Sequence, residues 1–217
     1  GALALLRNLR GMLGAGVPKR TIALALDDMR ADRVLPYRFV AAARYAPDFE
    51  PELEKAMFRS LEGHEKLEGE TRLLVDVSGS MGVAMSARSE MLRVDAACGL
   101  AVLAREICED VEVFTFSNDV KKVPPRRGFA LRDAIVQSQP HAGTYLGKAV
   151  AEVDRKGTRL IVITDEQSHD KVPAPKGTGY IINVASYRNG VGAGDWTRVD
   201  GFSEAVIDWI IAQEKDE

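Results

Sequence analysis

The sequence predicts an α/β fold in which an all-α segment precedes a doubly wound, mostly parallel sheet. Four short apolar runs recur after residue 70, namely "RLLVDV", "VEVFTF", "RLIVIT" and "GYIINVA". Segments with helical spacing separate these runs, and strands that alternate with helices form parallel sheets covered on both faces. The first 70 residues contain helical spacing and prolines but no run of this kind. We therefore expect two domains, residues 1–70 and residues 71–217.

Four helices are predicted in the first domain. Apolar residues at helical spacing predict a helix over residues 2–13, which the sequence Gly14-Ala15-Gly16 ends. Residues 21–29 predict a second helix. Two further helices begin at Pro36 and Pro51, because proline suits the first turn of a helix.

In the second domain, the segments between the apolar runs predict four helices, over residues 91–108, 129–138, 145–156 and 202–214. The run "VKKVPP" predicts a short edge strand, since lysine and proline discourage further strand pairing. Trp196 lies in a glycine-rich stretch before the last helix, where we expect it to anchor that stretch by packing. Sheets of this class bind ligands beyond the carboxyl ends of their strands.

Composition limits the function classes. The 217 residues carry a formal net charge of -3, so no overall charge favours nucleic acid or an anionic membrane. No apolar run approaches the roughly 20 residues of a membrane span, and no signal-peptide pattern opens the chain. Cys98 and Cys108 are expected to be unpaired thiols of a reducing compartment. We expect a cytoplasmic protein with no membrane partner and, because it begins at Gly1, a processed or excised fragment.

Oxygen-bearing side chains follow the predicted strands at three places. Asp76, Ser78 and Ser80 alternate along the loop after the first strand, Thr144 precedes a helix, and Asp165 follows "RLIVIT". Carboxylates and hydroxyls are hard donors that suit magnesium, with manganese or calcium as alternatives, and do not suit zinc or copper. An ion held largely by neutral hydroxyls keeps water and an exchangeable position. It is therefore suited to binding an outside carboxylate or phosphate.

Each part of this set has a simpler interpretation when it is taken alone. The Asp76-Val77-Ser78 triplet is also typical of a helix N-cap or an Asx turn. Thr144 is also a candidate N-cap, and Asp165 a candidate capping residue. Their joint occurrence at three strand ends is what favours a metal site.

Two histidines, His141 and His169, lie close in sequence to Thr144 and Asp165 and are expected at the rim of the site. A hydrolase would need the glycine two residues before its nucleophile, and Ser78 has none there. Phosphoryl transfer to Asp76 is disfavoured by the two hydroxyls and by the lack of a matching lysine. We expect no enzyme.

The motif "DVSGSM", followed by Thr144 and by Asp165 in "VITDE", resembles the metal-ion-dependent adhesion site of von Willebrand factor A domains over residues 71–214. The resemblance implies that Ser78 and Ser80 coordinate the ion directly and that Asp76 and Asp165 act mostly through water. Thr144 would join directly in the ligand-bound conformation. Many members carry glycine after the last aspartate, where this chain has Glu166. That side chain is expected to be solvated at the rim, with tuning of the ion as the alternative.

The helical segment also resembles a known family. Over residues 2–62, "ALLRNLRGML", "LPYRFVAAARYAP" and "PELEKAMFRSLE" are similar to the end of the TROVE module of Ro autoantigen proteins, which carry an A domain after it. The resemblance implies a ribonucleoprotein whose full-length form binds small noncoding Y RNA and misfolded RNA. Most of the helical ring is missing here, so RNA binding by these 217 residues is expected to be weak or absent. The alternative is a stand-alone A-domain interaction module with no RNA role.

Basic residues of the helical segment are the candidates for weak contacts with RNA phosphates. A solvated helical face is the simpler interpretation, because acidic residues such as Asp27, Asp28 and Asp32 alternate with them. The candidates are Arg7, Arg10, Lys19, Arg20, Arg38 and Arg44.

Overall fold

The computed structural model of the protein describes residues 1–32, 34–85, 91–185, 194–201 and 205–215. The chain divides into two units, Gly1–His64 and Glu65–Glu217. The boundary falls earlier than the residue 70 expected from the sequence, because the first strand already begins at Leu67. Among the described helices, none is both long and apolar enough to span a bilayer.

The first unit consists of helices, and each predicted helix has a counterpart. The α-helices are α1 (Ala2–Gly14), α2 (Lys19–Asp27), α3 (Pro36–Tyr45) and α4 (Glu50–Ser60), with a short 3-10 helix at Pro47–Phe49. Pro36 occupies the first turn of α3, and Pro51 that of α4, as the sequence predicts. The apolar faces of the helices form a core that includes Leu9, Leu26 and Phe39.

The second unit is built on a six-stranded sheet with the order β3-β2-β1-β4-β5-β6. Every neighbouring pair is parallel except β2 with β3, which is antiparallel, so the predicted mostly parallel α/β fold is confirmed. The strands are β1 (Leu67–Asp76), β2 (Cys108–Phe116), β3 (Val120–Lys122), β4 (Arg159–Thr164), β5 (Thr178–Asn183) and β6 (Thr197–Asp200).

Two strand predictions need correction. Residues 67–70 belong to β1, because Leu67 is buried beside Cys108 of β2 and a register shift follows it. Gly69, with φ of 81°, lies within that irregularity. Strand β6 was not predicted, because its four residues are half-buried or exposed and include two charged side chains.

The helices of the second unit are α5 (Arg93–Ile107), α6 (Gly128–Val136), α7 (Leu146–Val153) and α8 (Ala205–Lys215). The first three residues of the predicted last helix, 202–204, lie outside the described residues. Cys108 begins β2 rather than ending a helix, and both cysteines are buried free thiols. Trp196 packs in the core, as predicted, and donates its indole N–H to the Pro173 carbonyl (2.8 Å). Residues 186–193 of the stretch before it lie outside the described residues.

The register of the central strands positions the functional end of the sheet. Val75 of β1 pairs with Ile163 of β4, and Asp76 pairs with Phe116 of β2. Because the three strands are parallel, their carboxyl ends lie at one edge. The loops that leave them carry the predicted site residues.

Candidate metal centre

The two aspartates lie at this common edge. Asp76 is the last residue of β1, and Asp165 directly follows β4. Both are completely buried. One carboxylate oxygen of Asp76 accepts a hydrogen bond from the Thr164 hydroxyl (2.7 Å), which joins the first loop to the end of β4.

The loop after β1 brings its two hydroxyls together. The other carboxylate oxygen of Asp76 accepts the amide N–H of Ser78 at 2.8 Å, an Asx-type bond that turns the chain. A 3-10 helix, Gly79–Gly82, follows. The hydroxyl oxygens of Ser78 and Ser80 are consequently 3.1 Å apart. Ser78 is buried and Ser80 is half-buried, so the hydroxyl pair lies at the border between core and solvent.

The loop that carries Thr144 is fixed against the first loop. The amide of Gly79 donates to the carbonyl of Ala142 at 3.0 Å, so the two loops are in direct contact. The Ser117 hydroxyl accepts the amide of Ala142 (2.9 Å) and donates to the carbonyl of Gly143 (3.0 Å). Ser117 follows β2 and was not predicted as a site residue. Its hydroxyl holds the backbone on which Thr144 lies.

Both histidines expected at the rim are exposed and contact the site loops. The ring nitrogens of His141 lie 2.6 Å from the Val77 carbonyl and 3.0 Å from the Val136 carbonyl. His169 accepts the Thr144 amide on its Nδ1 (3.0 Å), and its own backbone amide donates to the Thr144 carbonyl (2.8 Å). In this structure the histidines thus support the backbone of two loops.

Arg93, the first residue of α5, reaches the site from outside the predicted set. Its Nη1 lies 2.7 Å from the Asp165 carboxylate and 3.2 Å from the Ser80 carbonyl. The Arg93 side chain is 9% exposed and that of Asp165 is 0% exposed, so the ion pair is buried. No sequence motif indicates this contact, because it joins residues far apart in the chain.

The expectation that Glu166 is solvated is wrong. Its side chain is buried and forms an ion pair with Arg198 of β6. The Arg198 Nε donates to the Glu166 carboxylate at 3.1 Å. The reason is the Arg198 guanidinium, which compensates the carboxylate and so allows its burial. The backbone of Glu166 has a positive φ of 59°.

The electrostatics of Asp76 differ from those of Asp165. Burial raises the pKa of Asp76 from 3.8 to about 7, although hydrogen bonds from Ser78 and Thr164 act in the opposite direction. Among the described residues, Asp76 forms no ion pair. A desolvated carboxylate of this kind is stabilised in its charged form by a nearby cation.

The donor set fits a hard cation. Two hydroxyls of one loop are adjacent, two carboxylates lie behind them, and the Thr144 loop is in contact with the first. The described residues contain no group of three histidine, cysteine or acidic side chains that could hold a metal. Hydroxyl and water ligands, which magnesium and calcium accept, are therefore essential to any site here.

The basic residues proposed for RNA contacts lie on three helices of the first unit. The guanidinium of Arg10 lies 5.4 Å from the centre of the Tyr45 ring, and that of Arg38 lies 4.5 Å from the Tyr37 ring. Lys19 pairs with Asp48. These contacts are internal to the unit. Arg7, Arg20 and Arg44 are exposed.

No protein-family model matches the sequence, and no curated protein matches it. Among solved structures, the chain is similar to the Ro (RSR) protein of Deinococcus radiodurans, with a TM-score of 0.70 and 18% identity. The similarity covers 98% of this chain and 52% of that protein, so the chain spans about half of its length.

Two weaker likenesses each cover about two thirds of the chain. One is to an aerotolerance-related membrane protein of Bacteroides fragilis, with a TM-score of 0.47, 17% identity, and coverage of 68% of this chain and 98% of that one. The other is to the ArnB paralog VWA2 of Sulfolobus acidocaldarius, with a TM-score of 0.43, 15% identity, and coverage of 68% and 46%. The likeness to the Deinococcus protein shows that the two share a fold.

Proposed function

We propose that the α/β unit binds one divalent cation, magnesium in the first instance, at the carboxyl edge of its sheet. The observation that carries the proposal is the pair of adjacent hydroxyls, Ser78 and Ser80, in front of the buried Asp76 and Asp165. All four are oxygen donors, and hydrogen bonds already hold them in place. Thr144 would supply the fifth oxygen donor, since its loop contacts the loop of Ser78 and Ser80.

The five residues would differ in how they bind the ion, according to their exposure to solvent. Ser78 and Ser80, at the solvent border, would contact the ion directly. Asp76 and Asp165 are deeper and engaged by protein donors, so they would act mostly through water and supply the negative charge. Thr144 would join when a ligand is bound, as the resemblance to A domains implies. When bound, the ion would supply a positive charge with an open coordination position.

The partner at that open position would be an acidic group, a carboxylate of a protein ligand or a phosphate. Neutral hydroxyls leave most of the ion's charge uncompensated, and an anionic oxygen compensates it. The described part of the site shows no histidine bonded to a serine hydroxyl, since both ring nitrogens of His141 and the Nδ1 of His169 face backbone groups. We therefore propose an interaction module and not an enzyme.

Calorimetric titration of magnesium into the purified chain tests the proposal. We expect binding to one site, which Asp76→Ala and Ser78→Ala abolish. Thr158→Ala is the control, because the Thr158 hydroxyl is also buried but lies at the opposite end of β4 and bonds to the Arg155 carbonyl. Equal affinity in all four proteins would refute the assignment of the site.

The RNA role is proposed for a longer protein of which this chain would be a part. Its support is the resemblance of the helical segment to the end of a TROVE module, together with the Ro-like fold. In that protein, a complete ring would bind noncoding RNA, and the A-like unit would bind an acidic partner through the metal. The two activities would then reside in different units.

A further inference from the structure

The ion pair of Arg93 places a positive charge beside the proposed metal site. One Arg93 nitrogen contacts both the Asp165 carboxylate (2.7 Å) and the Ser80 carbonyl (3.2 Å). These two residues belong to different loops, and both belong to the proposed metal set. The guanidinium therefore lies between the loops that would hold the ion.

This charge bears on the metal because it compensates one of the two site carboxylates. Asp76 forms no ion pair among the described residues, whereas Asp165 is neutralised by Arg93. The neighbouring Glu166 is compensated by Arg198 and adds no free negative charge. A divalent ion entering the site would meet a guanidinium a few ångströms away, in surroundings that water and salt screen poorly.

We propose that Arg93 weakens the affinity of the site for divalent cations by competing for Asp165. This inference rests on the proposed metal function. It implies that the ion alone binds weakly, and that an acidic ligand completes the charge balance. The arginine is fixed by α5 and by its bond to the Ser80 carbonyl, so it stays near the site when the ion enters.

The test compares the magnesium affinity of four proteins by calorimetry. Arg93→Gln removes the charge and should tighten binding by about tenfold or more. Arg93→Lys keeps the charge and should stay within about threefold of the wild type. Arg72→Gln is the matched control, because Arg72 is also buried and ion-paired, with Glu112, but lies in the middle of β1, four residues before Asp76. It should leave the affinity unchanged.

Melting temperatures give a second readout. Without metal, Arg93→Gln should melt lower than the wild type, because Asp165 loses its guanidinium partner. Magnesium should then raise its melting temperature more than it raises that of the wild type. If Arg93→Gln does not fold without metal, its folding midpoint in magnesium depends on stability as well as affinity, so the affinity is measured by calorimetry in a stabilising osmolyte such as TMAO.

The outcomes separate the two proposals. If the wild type binds magnesium and Arg93→Gln binds equally or more weakly, Arg93 only positions the loops, and the inference is wrong while the metal function stands. If Arg93→Lys binds as tightly as Arg93→Gln, charge is not the cause, and the inference is again wrong. If none of the four proteins binds magnesium or manganese, the metal function itself fails.

Discussion

At Glu166 the backbone has a φ of 59°, the one positive φ among the non-glycine residues that the structure describes. An L residue adopts this region at a cost of roughly 1–2 kcal/mol, whereas glycine adopts it freely. The ion pair with Arg198 ties the loop after β4 to β6.

Removing one partner of this ion pair should destabilise the protein more than removing the other. Arg198→Gln leaves a fully buried carboxylate without its guanidinium, which costs about 3–5 kcal/mol. Glu166→Gln leaves a guanidinium whose side chain is 29% exposed and can be hydrated, so its cost should be about 1 kcal/mol. Urea unfolding of both variants measures the difference. Equal losses in the free energy of unfolding would contradict the described burial of the pair.

At the scale of elements, α7 begins against the chain that follows β4 and thereby fixes the Thr144 loop. The amides of Gly147 and Lys148 donate to the two carboxylate oxygens of Asp170, at 2.9 and 2.8 Å. Burial alone raises the pKa of Asp170, but these bonds and one from Ser168 hold it below its usual value. A Cβ at Gly147 would lie 2.1 Å from the Lys171 carbonyl oxygen.

Gly147→Ala should therefore destabilise the protein, against the usual preference of helices for alanine. We expect a loss of about 1–3 kcal/mol, because the backbone at Lys171 would have to move. Gly11→Ala is the control within α1, where nothing lies within 4 Å of the added methyl group. It should gain about 0.5–1 kcal/mol. Thermal unfolding of both variants tests whether their stabilities change in opposite directions. A stabilising Gly147→Ala would show that α7 does not pack in this way.

Elements whose burial leaves a clear apolar pattern were predictable from the sequence. Strands β4 and β5 are buried on both faces, so they read as continuous apolar runs. Strand β6 carries no such signal, because pairing with β5 rather than burial makes it a strand. The positions of Asp76 and Asp165 followed from parallel topology, since parallel strands end at one edge.

Contacts between distant residues were not predictable in the same way. Arg93 reaches Asp165 across 72 positions in sequence, and Arg198 reaches Glu166 across 32. A single sequence contains no spacing rule for such pairs. Ser117 was missed for the same reason, since its role depends on a loop that is adjacent in space but not in the chain.

At the scale of the whole molecule, we expect weak binding of RNA. The first 70 residues contain as many acidic as basic residues, and the structure engages Lys19 and Arg10 in internal contacts. We predict that these 217 residues bind Y-type RNA no more tightly than nonspecific contact allows, roughly 10⁻⁴–10⁻⁶ M at physiological salt. Filter binding across a salt series, with and without competitor RNA, measures this. Tight, competitor-resistant binding would mean that the α/β unit itself recognises RNA.

The most direct test of the metal site is a crystal structure of the chain at saturating manganese, with an anomalous difference map. We predict one strong peak within bonding distance of the Ser78 and Ser80 hydroxyl oxygens, with Asp76 and Asp165 reached directly or through water. Ser78→Ala crystals grown in the same way should lose that peak. A map with no peak at this edge of the sheet, or with a peak held by other side chains, would contradict the account.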